Sequence, residues 1–134
     1  MNDLWVDANI LLRLLTGEPP ELAQRALRLV QRAERGEVTL RLSPMVVAEI
    51  IWVLSSFYRY SRTEIAEVLL PLIVAEGIIA EQAEQTIAAI ERMAAVNVDF
   101  MDAFLAEVAR KEGGAVASFD RDFRRLEIPW LEPE

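Results

Sequence analysis

The residues best placed to do chemistry are acids standing where acids are costly or conspicuous. Asp7 interrupts "LWVDANILLR", with an apolar run on either side. Glu49 falls in the second turn of an apolar helical segment, on its flank beside Met45 and Trp52. Asp102 stands in the first turn of a segment that Asp99 caps, where a helix N-terminus favours an anion. Asp120 follows the strand-like "AVAS", with Asp122 next in the same turn. A carboxylate among apolar residues is costly unless it is paired or bound to a cation. Each acid also has an ordinary explanation. Asp7 fits a strand-end cap, Asp99 and Asp102 a capping pair, Glu49 a flank residue, and Asp120 and Asp122 turn formers. It is the set, at strand ends and helix starts, that points to a site. Glu34, Glu64, Glu67, Glu84 and Glu91 lie on polar helix faces and read as solvated charge.

Composition narrows the chemistry. The 134 residues include no cysteine and no histidine, which excludes disulfides, thiol catalysis, Ser-His-Asp catalysis and histidine-ligated metal centres. Any metal must be held by oxygen, which selects hard cations such as magnesium or manganese. The net charge of −8 argues against indiscriminate binding to phosphate backbones but leaves room for locally placed arginines. Lys111 is the only lysine among 14 basic residues; the others are arginines, suited to bidentate contacts with phosphate and carboxylate. Hydrophobic residues make up 53%, which implies a tight core, an oligomer interface, or both. The longest apolar run, "VLLPLIVA", is far shorter than a membrane span, and "MNDLW" does not open a signal peptide. A cytoplasmic protein with a basic partner is expected.

Several elements must position these acids. Leu4, Trp5 and Val6 read as a short buried strand, and a short helix over 9–15 stops at Gly17. Residues 20–35 carry a helical stripe of Leu22, Ala26, Val30 and Ala33. "VTLRLS" alternates as a strand. Ser43 and Pro44 open a helix to about residue 58, and "SRTE" is a capping box before a helix that Pro71 ends or kinks. "GIIA" suggests a brief strand. A helix over 81–95 shows Ala83, Ile87, Ile90 and Ala94 on one face, and another spans 100–112. "AVAS" is a buried strand, "FDRDFRRL" a turn with one helical turn, and "IPW" a last short strand. Strands alternating with helices predict one α/β domain over residues 1–134, with a mostly parallel sheet. Sites in such sheets form beyond the carboxyl ends of strands. Asp7 and Asp120 meet there if their strands are neighbours.

"VDANILLR", "SPMVVAEIIWVL", "VDFMDAFLAEVA" and "ASFDRDF" resemble, in order and spacing, the motifs of the PIN-domain family, and most closely the VapC-type toxin ribonucleases of type II toxin–antitoxin pairs. The resemblance spans essentially the whole chain, and "SFDRDF" is its most specific piece. It implies a three-layer PIN-like (Rossmann-like) sandwich with a parallel sheet of four or five strands flanked by helices. It implies metal-dependent RNA cleavage, with Mg2+ or Mn2+ held by a four-carboxylate cluster. The family's acids fall on Asp7, Glu49, Asp102 and Asp120, with Asp122 accessory and Asn9 and Ser118 at supporting polar positions. Asp7, Asp102 and Asp120 would be direct ligands; Glu49 would ligate or position water.

Substrate contact falls to arginines: Arg13, Arg121, Arg124 and Arg125 lie near the acids in sequence, and Arg59 and Arg62 at a hairpin tip. The resemblance also implies an RNA substrate, a cognate antitoxin and a homodimer, with no membrane partner. A PIN-like nuclease in RNA processing or DNA-flap cleavage, and a non-catalytic PIN-fold binding module, are the competing expectations. A phosphoryl-transfer receiver or phosphatase would want a lysine near the final strand, and Lys111 falls within a helix before it.

Overall fold

A computed structural model describes residues 2–134. The chain forms two compact units, one running to Ala83 and one from Glu84 to Glu134.

The first unit is built on three parallel strands, β1 (Asp3–Trp5), β2 (Thr39–Leu42) and β3 (Ile78–Ala80), in the order β1-β2-β3. Leu40 of β2 faces Leu4 on one side and Ile78 on the other. Arg41 ties the strands together electrostatically. Its guanidinium lies 3.4 Å from Asp3 and 3.0 Å from Glu81, which follows β3. The hydrogen bond to Glu81 and the charge of Asp3 hold Arg41 above the ordinary arginine range.

Four helices accompany this sheet: α1 (Ala8–Thr16), α2 (Pro20–Glu34), α3 (Pro44–Ser56) and α4 (Arg62–Ile73). Each starts where the sequence supplies a start signal. Asp7 caps α1, Pro20 occupies the first turn of α2, Ser43 and Pro44 open α3, and Ser61 with Glu64 completes a reciprocal capping box on α4. The core runs through Leu11, Leu12, Leu40, Leu42, Ile50 and Leu54. Gly77 must be a glycine. Its φ is +86°, and a Cβ there would overlap the backbone carbonyl of Ala33 in α2.

The second unit contains α5 (Ala83–Val96, entering from the junction), α6 (Phe100–Glu112), a 3-10 helix over Arg121–Leu126, and two parallel strands, β4 (Val116–Ala117) and β5 (Trp130–Leu131). Phe100, Ala103, Ala106, Phe123 and Leu126 are buried within it.

The α/β class, the parallel pairing and the five strands agree with the sequence. Some details differ. The strands hydrogen-bond as a three-stranded and a two-stranded set. Trp5, expected inside, is 62% exposed, because side chains of a strand alternate in direction; Val6, beyond the strand's end, is buried as expected. In "AVAS" only Val116 is buried, for the same reason. The buried face of α5 is Thr86, Ala89, Ile90 and Met93, a rotation from the predicted stripe. Pro71 lies inside the last turn of α4; it cannot donate to the Glu67 carbonyl, and the helix runs only two residues further, to Ile73.

Candidate active site

Asp7 stands at the carboxyl end of β1, and its Oδ1 accepts the Ile10 N–H at 3.1 Å. The apolar run around it is indeed core: Val6, Ala8, Leu11 and Leu12 are buried. Asp7 itself is exposed, so the cost of burying a carboxylate does not arise at this position. It opens on a cavity of about 380 Å3, which Asn9 and Arg13 of α1 also line, and to which α2 contributes Arg25. Glu49 is exposed on the outer face of α3, on a stripe with Met45 and Trp52, which are 82% and 69% exposed. Among the described residues it has no hydrogen-bond or ion-pair partner.

In the second unit, Asp99 caps α6 by accepting the Met101 N–H at 3.1 Å. The predicted reciprocal pair with Asp102 does not form; Asp102 is half-buried in the first turn. Burial pushes its carboxyl above the ordinary aspartate range, and the charges of Asp99, Asp120 and Asp122 push it further in the same direction. Four acids thus share one electrostatic neighbourhood. Asp120 caps the 3-10 helix by accepting the Asp122 N–H at 2.8 Å, and its own N–H donates to the Ser118 hydroxyl at 2.9 Å. Ser118 is held in turn by the Trp130 indole N–H, which donates to its carbonyl at 2.9 Å. Ser118 thus accepts the Asp120 N–H and is itself tied to Trp130.

The arginines divide. Arg125 is engaged twice, with Asp122 at 2.8 Å and with the Val96 carbonyl at 3.2 Å. Arg121 lies 3.5 Å from Glu132, and Arg124 donates to the Arg121 carbonyl. Arg13 makes a single 3.3 Å bond to the Glu18 carbonyl. Arg25 was not singled out from sequence. Its signal was present in the helical spacing of α2.

Among the described residues no group of three or more acids is arranged to hold a metal ion, so the four-carboxylate cluster is not displayed as a finished cage. Asp7 and Glu49 belong to the first unit, Asp102 and Asp120 to the second. The donor set still fits a hard cation. It is all oxygen, and in the second unit Asp102 is raised first by burial and then by the charges of Asp99, Asp120 and Asp122, which a divalent ion would offset.

Residues 4–129 match the PIN domain, and the chain belongs to that family. A comparison with curated proteins finds no match. PIN domains are generally nucleases that use divalent metals, so the family points to a hydrolase. No helix among the described residues is long and apolar enough to cross a membrane.

Proposed function

We propose that this protein is a metal-dependent endoribonuclease and the toxin of a type II toxin–antitoxin pair. The observation that carries the reading is the PIN-domain match over residues 4–129, within which Asp7 and Asp120 follow β1 and β4. In the second unit burial raises Asp102, and the charges of Asp99, Asp120 and Asp122 add to it, a charge that a bound cation would offset. Asp7, Asp102 and Asp120 would ligate Mg2+ or Mn2+, with Glu49 ligating or orienting water. A divalent ion held there supplies Lewis-acid activation of water and neutralises charge on the scissile phosphate.

The chain's own residues do the rest. Asp7 keeps one oxygen on the α1 N-terminus and presents the other outward. Ser118 and Trp130 fix the turn that aims Asp120. Asp122 restrains Arg125 and is accessory. Arg13, Arg121 and Arg124 contact RNA phosphates through guanidinium forks. A net charge of −8 suits a basic antitoxin segment, and the exposed Met45 and Trp52 suit a protein partner, including a second copy in a homodimer.

Expression of the chain alone should arrest growth and degrade RNA, and co-expression of its antitoxin should restore growth. Purified protein should cut RNA only with Mg2+ or Mn2+. A chain that arrests nothing and cuts no RNA with either ion is not such a toxin.

A further inference from the structure

Arg25, Arg28, Arg32 and Arg35 recur at spacings of three, four and three along α2 and its C-cap, which places them on one face of the helix. In a chain of net charge −8 this is a local basic ridge. Its two ends differ. Arg32 and Arg35 share a single acid, Glu37, at 3.4 and 2.6 Å, and the Arg35 hydrogen bond holds that carboxyl below its ordinary range. Arg25 and Arg28 are exposed and, among the described residues, have neither an ion-pair nor a hydrogen-bond partner. Glu21 lies one turn before Arg25, at the spacing that favours an i,i+4 pair, and makes none.

The open end of the ridge runs into the cavity beside Asp7. Arg25 lines it from α2 and Arg13 from α1, while Ile10, Leu22 and Leu29 give it an apolar wall. Two guanidiniums against one carboxylate leave the cavity net positive. An apolar wall beside two guanidiniums, of which, among the described residues, Arg13 makes one hydrogen bond and Arg25 none, suits a nucleotide, with its phosphate on the arginines and its base or sugar against the wall.

We propose that the arginine face of α2, through Arg25 and Arg28 together with Arg13, is the track that binds the backbone of a single-stranded RNA and delivers it to the cavity lined by Asp7. The proposal rests on the nuclease assignment for the identity of the strand, but its test reads binding apart from cleavage. Binding of a fluorescent single-stranded oligoribonucleotide is measured as a function of salt, with magnesium, in a chain carrying Asp120→Asn. Adding Arg25→Ala and Arg28→Ala is expected to weaken binding about tenfold near 0.1 M salt and to flatten the slope of log affinity against log salt by about 1.4, or roughly 0.7 for each of the two arginines. Arg25→Lys with Arg28→Lys retains the slope, which shows that charge is being read and that the helix remains folded. Unchanged affinity and slope in the double alanine variant overturn the track. So does a chain that binds no RNA, or one in which an acidic peptide but not RNA responds to the substitutions. If wild type cuts no RNA while the slope changes as stated, the nuclease assignment fails and the track stands.

Discussion

Asp7 accepts the Ile10 N–H at 3.1 Å through Oδ1, so the residue that follows β1 also starts α1. Its second oxygen has no protein hydrogen bond among the described residues. The cap and the proposed ligand role are therefore carried by different atoms and can be separated. Asp7→Asn keeps an oxygen for the cap and should unfold in urea close to wild type, because asparagine caps as well as aspartate. Asp7→Ala should lose about 1 kcal/mol through the missing cap. Both should lower the cleavage rate by more than about 100-fold, beyond what loss of a merely supporting partner costs. Equal stability in all three proteins would contradict the cap.

Asp102 makes a prediction about pH. Its carboxyl is raised, so between the ordinary aspartate range and its native value the folded chain holds a proton that the unfolded chain has released. Stability must therefore fall as pH rises through that interval, and the penalty persists above it. Asp102→Asn should melt at a higher temperature than wild type at neutral pH without divalent ions. The difference should close as pH falls below about 4, where both states are protonated. Magnesium or manganese should raise the melting temperature of wild type more than that of the variant. Melts over this range, with and without the ion, check the sign.

The acid turn allows a contrast between neighbours. Asp122 spends its carboxylate on Arg125 at 2.8 Å, whereas Asp120 spends one oxygen on the turn and is backed by Ser118. The Asp122–Arg125 pair is about half exposed on both sides, so its loss should change stability by less than about 1 kcal/mol. Asp122→Asn should leave cleavage within about tenfold of wild type, the low end of what a supporting residue contributes. Asp120→Asn should abolish it under the same assay.

Phe123 anchors that turn from within. It is buried inside the second unit, between the helical residues that carry the acids and arginines. Phe123→Ala should cost about 3–5 kcal/mol, measured by urea denaturation. Leu131, 62% exposed at the end of the same segment, should tolerate alanine with little change.

How much of this could be read in advance depended on the kind of signal. Start and stop residues act locally, and they located α1, α3, α4 and α6 closely: Asp7, Ser43, Ser61 and Asp99 all cap the helices they announce. Strand burial was less legible. Trp5 and Ala117 belong to short strands whose alternate residues face outward, and an apolar run does not say which ones. The five strands were visible, but their division into sets of three and two is decided by long-range pairing. Asp7 looked costly because its sequence neighbours are apolar, yet the strand end lifts it into solvent. The raised Asp102 depends first on burial, then on Asp99 and on Asp120 and Asp122, eighteen and twenty residues on, and only the folded second unit supplies the burial and the distant charges. The α2 ridge was present as plain helical spacing. It gained meaning once Arg25 was seen in the same cavity as Asp7.

The most direct measurement is RNA cleavage by the purified chain with magnesium or manganese, run beside Asp7→Asn and Asp102→Asn and with the ion chelated. Ion-dependent cleavage that disappears in both variants, while both remain folded, is the predicted result. Cleavage that survives chelation, or that persists in either variant, would contradict the acid-held metal site.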